Sequence, residues 1–242
     1  MTRLLCLFAI CLGLLVPPRA GAETVTVFAA ASLRDALEQI AAGYPDEVVL
    51  SYGGSGTMAR QVAAGAPADV VVLASTEWTD WLADQGALPR GRAVAIARNG
   101  LVVIGPAGAA DIDPATLPAR LGDGRLAMGQ RDAVPAGAYA RQWLENAGLW
   151  EALSPRLAET DNVRAALALV SRGQAPYGVV YRTDALADVG VGVVFDVPDD
   201  LHDPILYPAA ALTNAGDAFL TYLAGPEAAG VLAAHGFLPV GG

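Results

Sequence analysis

Between Val25 and Asp35 the chain reads Val-Thr-Val-Phe-Ala-Ala-Ala-Ser-Leu-Arg-Asp, a strand that becomes a helix with almost no loop between them. Its first half alternates on β-branched residues, the pattern of a strand. Leu33, Ala36, Leu37 and Ile40 then fall at helical spacing, so three alanines and Ser32 carry the whole change of direction. Ser32 stands where an N-cap is expected and Asp35 where a first-turn acid is favoured. A junction this short leaves the first backbone N–H groups of the helix unpaired and facing outward, a place where an anion can be held.

Similar junctions follow. A strand over 47–52 leads through Gly53-Gly54-Ser55-Gly56 into a helix over 57–64 that stops at Gly65. A strand over 69–74 precedes a helix over 77–85, and strands over 92–98 and 101–104 flank Asn99-Gly100, which reads as a turn. Beyond Pro106 a second set appears: a strand over 125–129, helices over 136–147 and 163–172, and strands over 177–181 and 191–197. A strand over 205–212 and helices over 215–223 and 227–234 close the chain. The alternation predicts an α/β protein with mainly parallel sheets flanked by helices. Two αβ sets and a final helical segment without strands of its own predict two lobes with a ligand cleft between them. Residues 23–100 and 207–242 form the first lobe and 101–206 the second.

The first 22 residues have a different character. Arg3, an apolar run from Leu4 to Val16 and Ala20-x-Ala22 make a secretory leader, cleaved near Ala22/Glu23. Cys6 and Cys11 both fall inside it, so the exported part has neither a disulfide nor a thiolate. There is no lysine. Without Arg3 and Arg19, 13 arginines face 25 acidic residues, a net charge of −12. That balance speaks against nucleic acid and anionic membrane surfaces as partners, and the missing lysine excludes a P-loop.

Gly54-x-Gly56-x-x-Ala59 with Glu77 farther on meets a relaxed dinucleotide fingerprint, but an exported chain is not expected to meet that cofactor. Gly53-Gly54-Ser55-Gly56-Thr57 lacks the second glycine of a nucleophile elbow, and His202 and His235 lie in late segments that read as peripheral. No spacing of His, Cys and carboxylates suggests a metal site. Pro135-Ala136-Gly137 opens another helix, and Asp161-Asn162-Val163 a further one with Asp161 or Asn162 as cap. Tyr181 ends the run Gly178-Val179-Val180, either as a core residue or at a strand's carboxyl end, where open α/β sheets bind ligands. Two candidate N–H clusters thus belong to the first lobe, at Ser32 and Ser55. Two belong to the second, at Ala136 and Val163, with the Tyr181 hydroxyl beside them.

The chain also resembles the periplasmic molybdate-binding proteins of ABC transporters, a branch of the two-lobed periplasmic binding proteins. The matching text includes Val27–Leu33, Ala59-Arg60-Gln61, Gly65–Asp69, Val134–Gly137, Asp161–Val170, Gly178–Tyr181, Gly225–Ala229 and Gly236-Phe237. The resemblance implies that Ser32 and Ser55 each give a hydroxyl and a backbone N–H to the oxyanion. It implies backbone N–H groups from Ala136 and Val163 and the phenol of Tyr181. Where that family often has a serine-rich run, this chain has Gly53-Gly54-Ser55-Gly56, with Ser55 at the ligand position. The implied activity is capture of molybdate or tungstate in the periplasm and delivery to a membrane permease, by a monomer without cofactor or catalysis. Molybdenum enters only as the oxyanion. A receptor for sulfate or thiosulfate is the alternative, and an exported hydrolase using Ser32 or Ser55 a remote one.

Overall fold

The computed structural model describes residues 24–241 apart from Arg92. The expected leader, with Cys6 and Cys11, lies outside the described residues. The chain begins with β1 (Val25–Ala30), α1 (Arg34–Ala42), β2 (Val48–Gly53), α2 (Ser55–Ala63), β3 (Val70–Val72), α3 (Thr76–Asp84) and β4 (Val94–Asn99). It continues with β5 (Leu101–Pro106), α4 (Leu117–Arg120), β6 (Leu126–Gly129), α5 (Pro135–Asn146), α6 (Trp150–Leu153) and β7 (Leu157–Thr160). Next come α7 (Val163–Ser171), β8 (Tyr177–Tyr181), α8 (Arg182–Leu186) and β9 (Val191–Asp196). The chain ends with β10 (Ile205–Ala211), α9 (Asn214–Leu223) and α10 (Pro226–Ala234).

These strands form two five-stranded sheets, ordered β2-β1-β3-β10-β4 and β7-β6-β8-β5-β9. Each sheet has one reversed strand: β10 is antiparallel to β3 and β4, and β5 to β8 and β9. The remaining pairs, β1 with β2 and β3, and β6 with β7 and β8, are parallel. The reversed strands are the two on which the chain arrives from the other sheet. Asn99-Gly100 is therefore not a hairpin turn. It joins β4 of one sheet to β5 of the other, and 197–204 lead back into β10.

The central strands are apolar on both faces because helices cover both. Val70, Val71 and Val72 of β3 are fully buried, as are Val102, Val103 and Ile104 of β5. One strand escaped the sequence reading. Leu-Ala-Glu-Thr of β7 has only four residues at a sheet edge and pairs with β6 alone, too short and too polar for a pattern. In β10 the register shifts between Tyr207 and Pro208, where proline has no N–H for the ladder.

Helix α5 rests directly on the backbone of β6. A Cβ on Gly137 would lie 2.2 Å from the Gly129 carbonyl oxygen. Gly137→Ala should lift the first turn of α5 and cost about 1–3 kcal/mol, by the usual scale of core overpacking. Urea unfolding of the variant measures the loss.

Candidate functional site

Ser32, Ser55, Ala136, Val163 and Tyr181 all line one small cavity of about 10 Å³, room for about one water. That is far below the roughly 300–1,000 Å³ of pockets for drug-sized ligands. Each donor follows the carboxyl end of a strand: Ser32 after β1, Ser55 after β2, Ala136 after β6 and Val163 after β7, while Tyr181 ends β8. The cavity lies between the sheets, and both contribute to it.

Neither serine acts as the cap that its position suggested. Ser32 is the middle residue of a 3₁₀ turn, Ala31–Leu33, and Leu33 occupies the N-cap of α1. Buried at 2% exposure, the Ser32 side chain turns inward and meets the Tyr207 hydroxyl at 3.1 Å. Ser55 is the first residue of α2, behind Gly54 at the N-cap, and its Oγ accepts the Ala74 N–H at 3.0 Å. Asn162 does cap α7, accepting the Ala165 N–H.

The helix starts leave specific N–H groups over. In α2 the Gly56 N–H donates to the Ala133 carbonyl, and those of Thr57 and Met58 to Gly54, so the Ser55 N–H is not taken up by the helix. In α5, Pro135 has no N–H, and Gly137 and Ala138 donate to Val134; the Ala136 N–H remains. In α7 the Asn162 side chain takes Ala165 and the Asn162 carbonyl takes Ala166, which leaves the N–H groups of Val163 and Arg164. Among the described residues the Tyr181 hydroxyl is buried with no hydrogen-bond partner, and burial raises its pKa well above normal, so it stays neutral.

The glycines of the α2 loop serve close approach. Gly53, Gly54 and Gly56 all lack a positive φ. A Cβ on Gly54 would stand 2.4 Å from the Asp161 carbonyl oxygen, and one on Gly56 2.5 Å from that of Ala133, both in the other lobe. A second bridge runs between the lobes. Arg164 of α7 donates from Nη2 to Asp35 of α1 at 2.6 Å and from Nε to Asp184 of α8 at 2.5 Å. A larger hollow of about 230 Å³ adjoins this bridge, but its cation is already held by the two carboxylates, one of which also lines it.

Sequence reasoning missed the residues behind the donors: Asn99, Tyr207, Thr183 and the two acids of Arg164. Proline after Tyr207 in a predicted strand was the one local signal of an irregularity. His202 is buried rather than peripheral, with Nδ1 on the Asp203 carbonyl, and His235 meets Gln39. Among the described residues neither histidine is bonded to Ser32 or Ser55.

Residues 25–238 match the family described as bacterial extracellular solute-binding protein, and the chain belongs to it. It is 42% identical over 226 residues to the molybdate-binding protein ModA of Escherichia coli (strain K12), covering 88% of each chain. Among solved structures it is similar to the substrate binding domain of a putative molybdenum ABC transporter from Clostridium difficile. That match has 27% identity and a TM-score of 0.67, over 90% of this chain and 99% of the other. The Azotobacter vinelandii periplasmic molybdate-binding protein, at 24% identity and a TM-score of 0.81 over 89% and 99%, shares the fold.

Burial pushes the Asp184 carboxyl up to about 6, while Arg164 pulls the other way. The folded chain therefore holds this proton more tightly than the unfolded chain. Stability is lost as pH rises from the ordinary carboxylate range through about 6. In urea unfolding across that window, the stability of Asp184→Asn relative to wild type should rise with pH. A constant difference would take Asp184 out of the titration.

Proposed function

We propose that this chain captures molybdate, and tungstate with it, outside the cytoplasmic membrane and delivers it to the permease of an ABC transporter. Ser32 and Ser55 supply hydroxyl and backbone N–H groups, Ala136 and Val163 backbone N–H groups, and Tyr181 its phenol. After a leader ending near Ala22/Glu23 is removed, residues 23–100 with 205–242 form one jaw and 101–204 the other. That boundary falls two residues before the one expected at 206/207, because β10 starts at Ile205. The chain works as a monomer, and the oxyanion is its cargo, bound without cofactor or catalysis.

The observation that carries this reading is that all five residues line one small cavity and can offer it donors. Ser55 Oγ already accepts a backbone N–H, so its own proton is free for a ligand. A fully deprotonated oxyanion uses such donors at every oxygen. A protonated phosphate brings an O–H that needs an acceptor, and leaving it unmet costs about 1–3 kcal/mol. Sulfate passes this test, so the choice of molybdate over sulfate is supported by the relatives' names rather than by hydrogen bonding.

Calorimetry should show sub-micromolar binding of molybdate and tungstate, with sulfate and phosphate far weaker. Tight sulfate binding would favour the sulfate receptor, and no binding of any of them would overturn the oxyanion reading. Ser32→Ala should weaken molybdate by about 1–3 kcal/mol, since a charged oxygen loses its donor. Gly54→Ala tests closure. Its Cβ meets Asp161 of the other lobe while the local backbone stays extended, so the unliganded chain should melt as wild type does while molybdate affinity falls.

A further inference from the structure

We infer that Asn99 and Tyr207 are positioning residues that fix Ser32 as an obligate hydrogen-bond donor, and through it the rejection of oxyanions that still carry a proton. The inference rests on the oxyanion reading above. Asn99 ends β4 at the first crossing between the sheets, and Tyr207 lies on β10 after the second. Both are buried, and neither lines the cavity.

The polarity of the contacts follows from what each group is able to do. The Gly100 N–H, which can only donate, points at Asn99 Oδ1 at 3.0 Å. The amide oxygen is fixed at that end, and Nδ2 faces the other way. Nδ2 donates to Thr183 Oγ1 at 2.8 Å and to the Tyr207 hydroxyl at 3.0 Å. The Tyr207 oxygen is thus an acceptor toward Asn99, and its single proton must go elsewhere. Among the described residues its other contact is Ser32 Oγ. Burial also raises the Tyr207 pKa far above the ordinary phenol value, so that proton is retained.

Ser32 Oγ accepts it, and the Ser32 proton is left to point into the cavity. The opposite arrangement, with Ser32 donating to Tyr207, strands a buried phenol proton, disfavoured by about fivefold or more. Ser55 is held to the same polarity by a backbone N–H. Ser32 is held by side chains, so its polarity can be changed by mutation. A hydrogen phosphate that places its O–H near Ser32 meets only another proton.

The test compares wild type, Asn99→Asp and Tyr207→Phe by competition calorimetry with molybdate and hydrogen phosphate under mildly alkaline conditions. Both ligands are then dianions, so an added charge acts on them alike and the ratio of their Kd values reads hydrogen-bond polarity. Asn99→Asp keeps the acceptor for Gly100 but replaces the donor end with a second acceptor. Thr183 and Tyr207 then donate to it, Ser32 donates to Tyr207, and Ser32 lone pairs face the cavity. The molybdate preference should narrow by about tenfold or more, on the scale of one unmet buried group. Tyr207→Phe frees the Ser32 hydroxyl to rotate and should narrow the preference by less. Variants that lose affinity for both anions equally, with the ratio unchanged, would reduce these residues to a structural role and overturn the inference. Should Asn99→Asp fail to fold, the ratio for Tyr207→Phe decides alone. A wild-type chain that binds neither anion overturns the oxyanion reading itself, which is a different result from a selective wild type with unselective wiring.

Discussion

A dianion withdrawn from water without a cation beside it is stable only if N–H and O–H groups meet each of its oxygens. Few side chains donate without also accepting or carrying charge, so most of these donors have to come from the backbone. The carboxyl ends of parallel strands provide them, because each strand there hands over to a helix whose first N–H groups have no partner in the ladder. Four of the five candidate donors stand at such a handover, and the fifth ends a strand. A helix end contributes about 0.3–1 kcal/mol toward an anion, rising to about 2 when partly buried, so several must converge to hold one tightly. Two sheets facing each other across a cleft accomplish that convergence, and both lobes are needed for it.

Convergence on so small a ligand requires backbones to approach within contact distance, which explains the composition around the cavity. Ala30, Ala31, Gly53, Gly54 and Ala74 line it, and side chains larger than these would hold the jaws apart. Gly56 goes further, donating its N–H across the cleft to Ala133 at 3.2 Å. Excluding water in this way strengthens each remaining hydrogen bond.

Two of the four handovers were legible in the sequence because each is written in one short stretch: β-branched alternation, small residues, then helical spacing. Val25 to Ile40 and Glu47 to Val62 both read this way, whereas Tyr181 read equally as a core residue or as the end of a strand. Roles that depend on sheet order were not legible. Tyr207 reaches Ser32 across 175 positions of sequence, a contact that exists only because β10 inserts between β3 and β4. Asn99-Gly100 carries a strong local turn signal, yet here it spans two sheets. Ser32 looked like a cap for the same local reason. A tertiary partner won its hydroxyl, as tertiary context commonly overrides propensity. Gly54 and Gly56 need no positive φ; what they need is room for carbonyls of Asp161 and Ala133 in the other lobe, which local sequence does not show.

Arg164 completes the physical picture, since an arginine next to Val163 could have undone the selectivity of a neutral site. A free guanidinium facing the cavity would attract any anion by charge, whatever its protonation, and would dilute discrimination that depends on hydrogen-bond polarity. Here both ends of the fork are committed, one to Asp184 in the same lobe and one to Asp35 in the other. The two carboxylates cancel the charge and turn the arginine into a strut between the jaws. A chain of net charge −10 gains no long-range attraction for a dianion, and what field it has is screened within about 8–10 Å. Affinity must then come from contacts made at close range after the lobes meet. In that arrangement the orientation of single protons, such as the one on Ser32, weighs more than the overall charge.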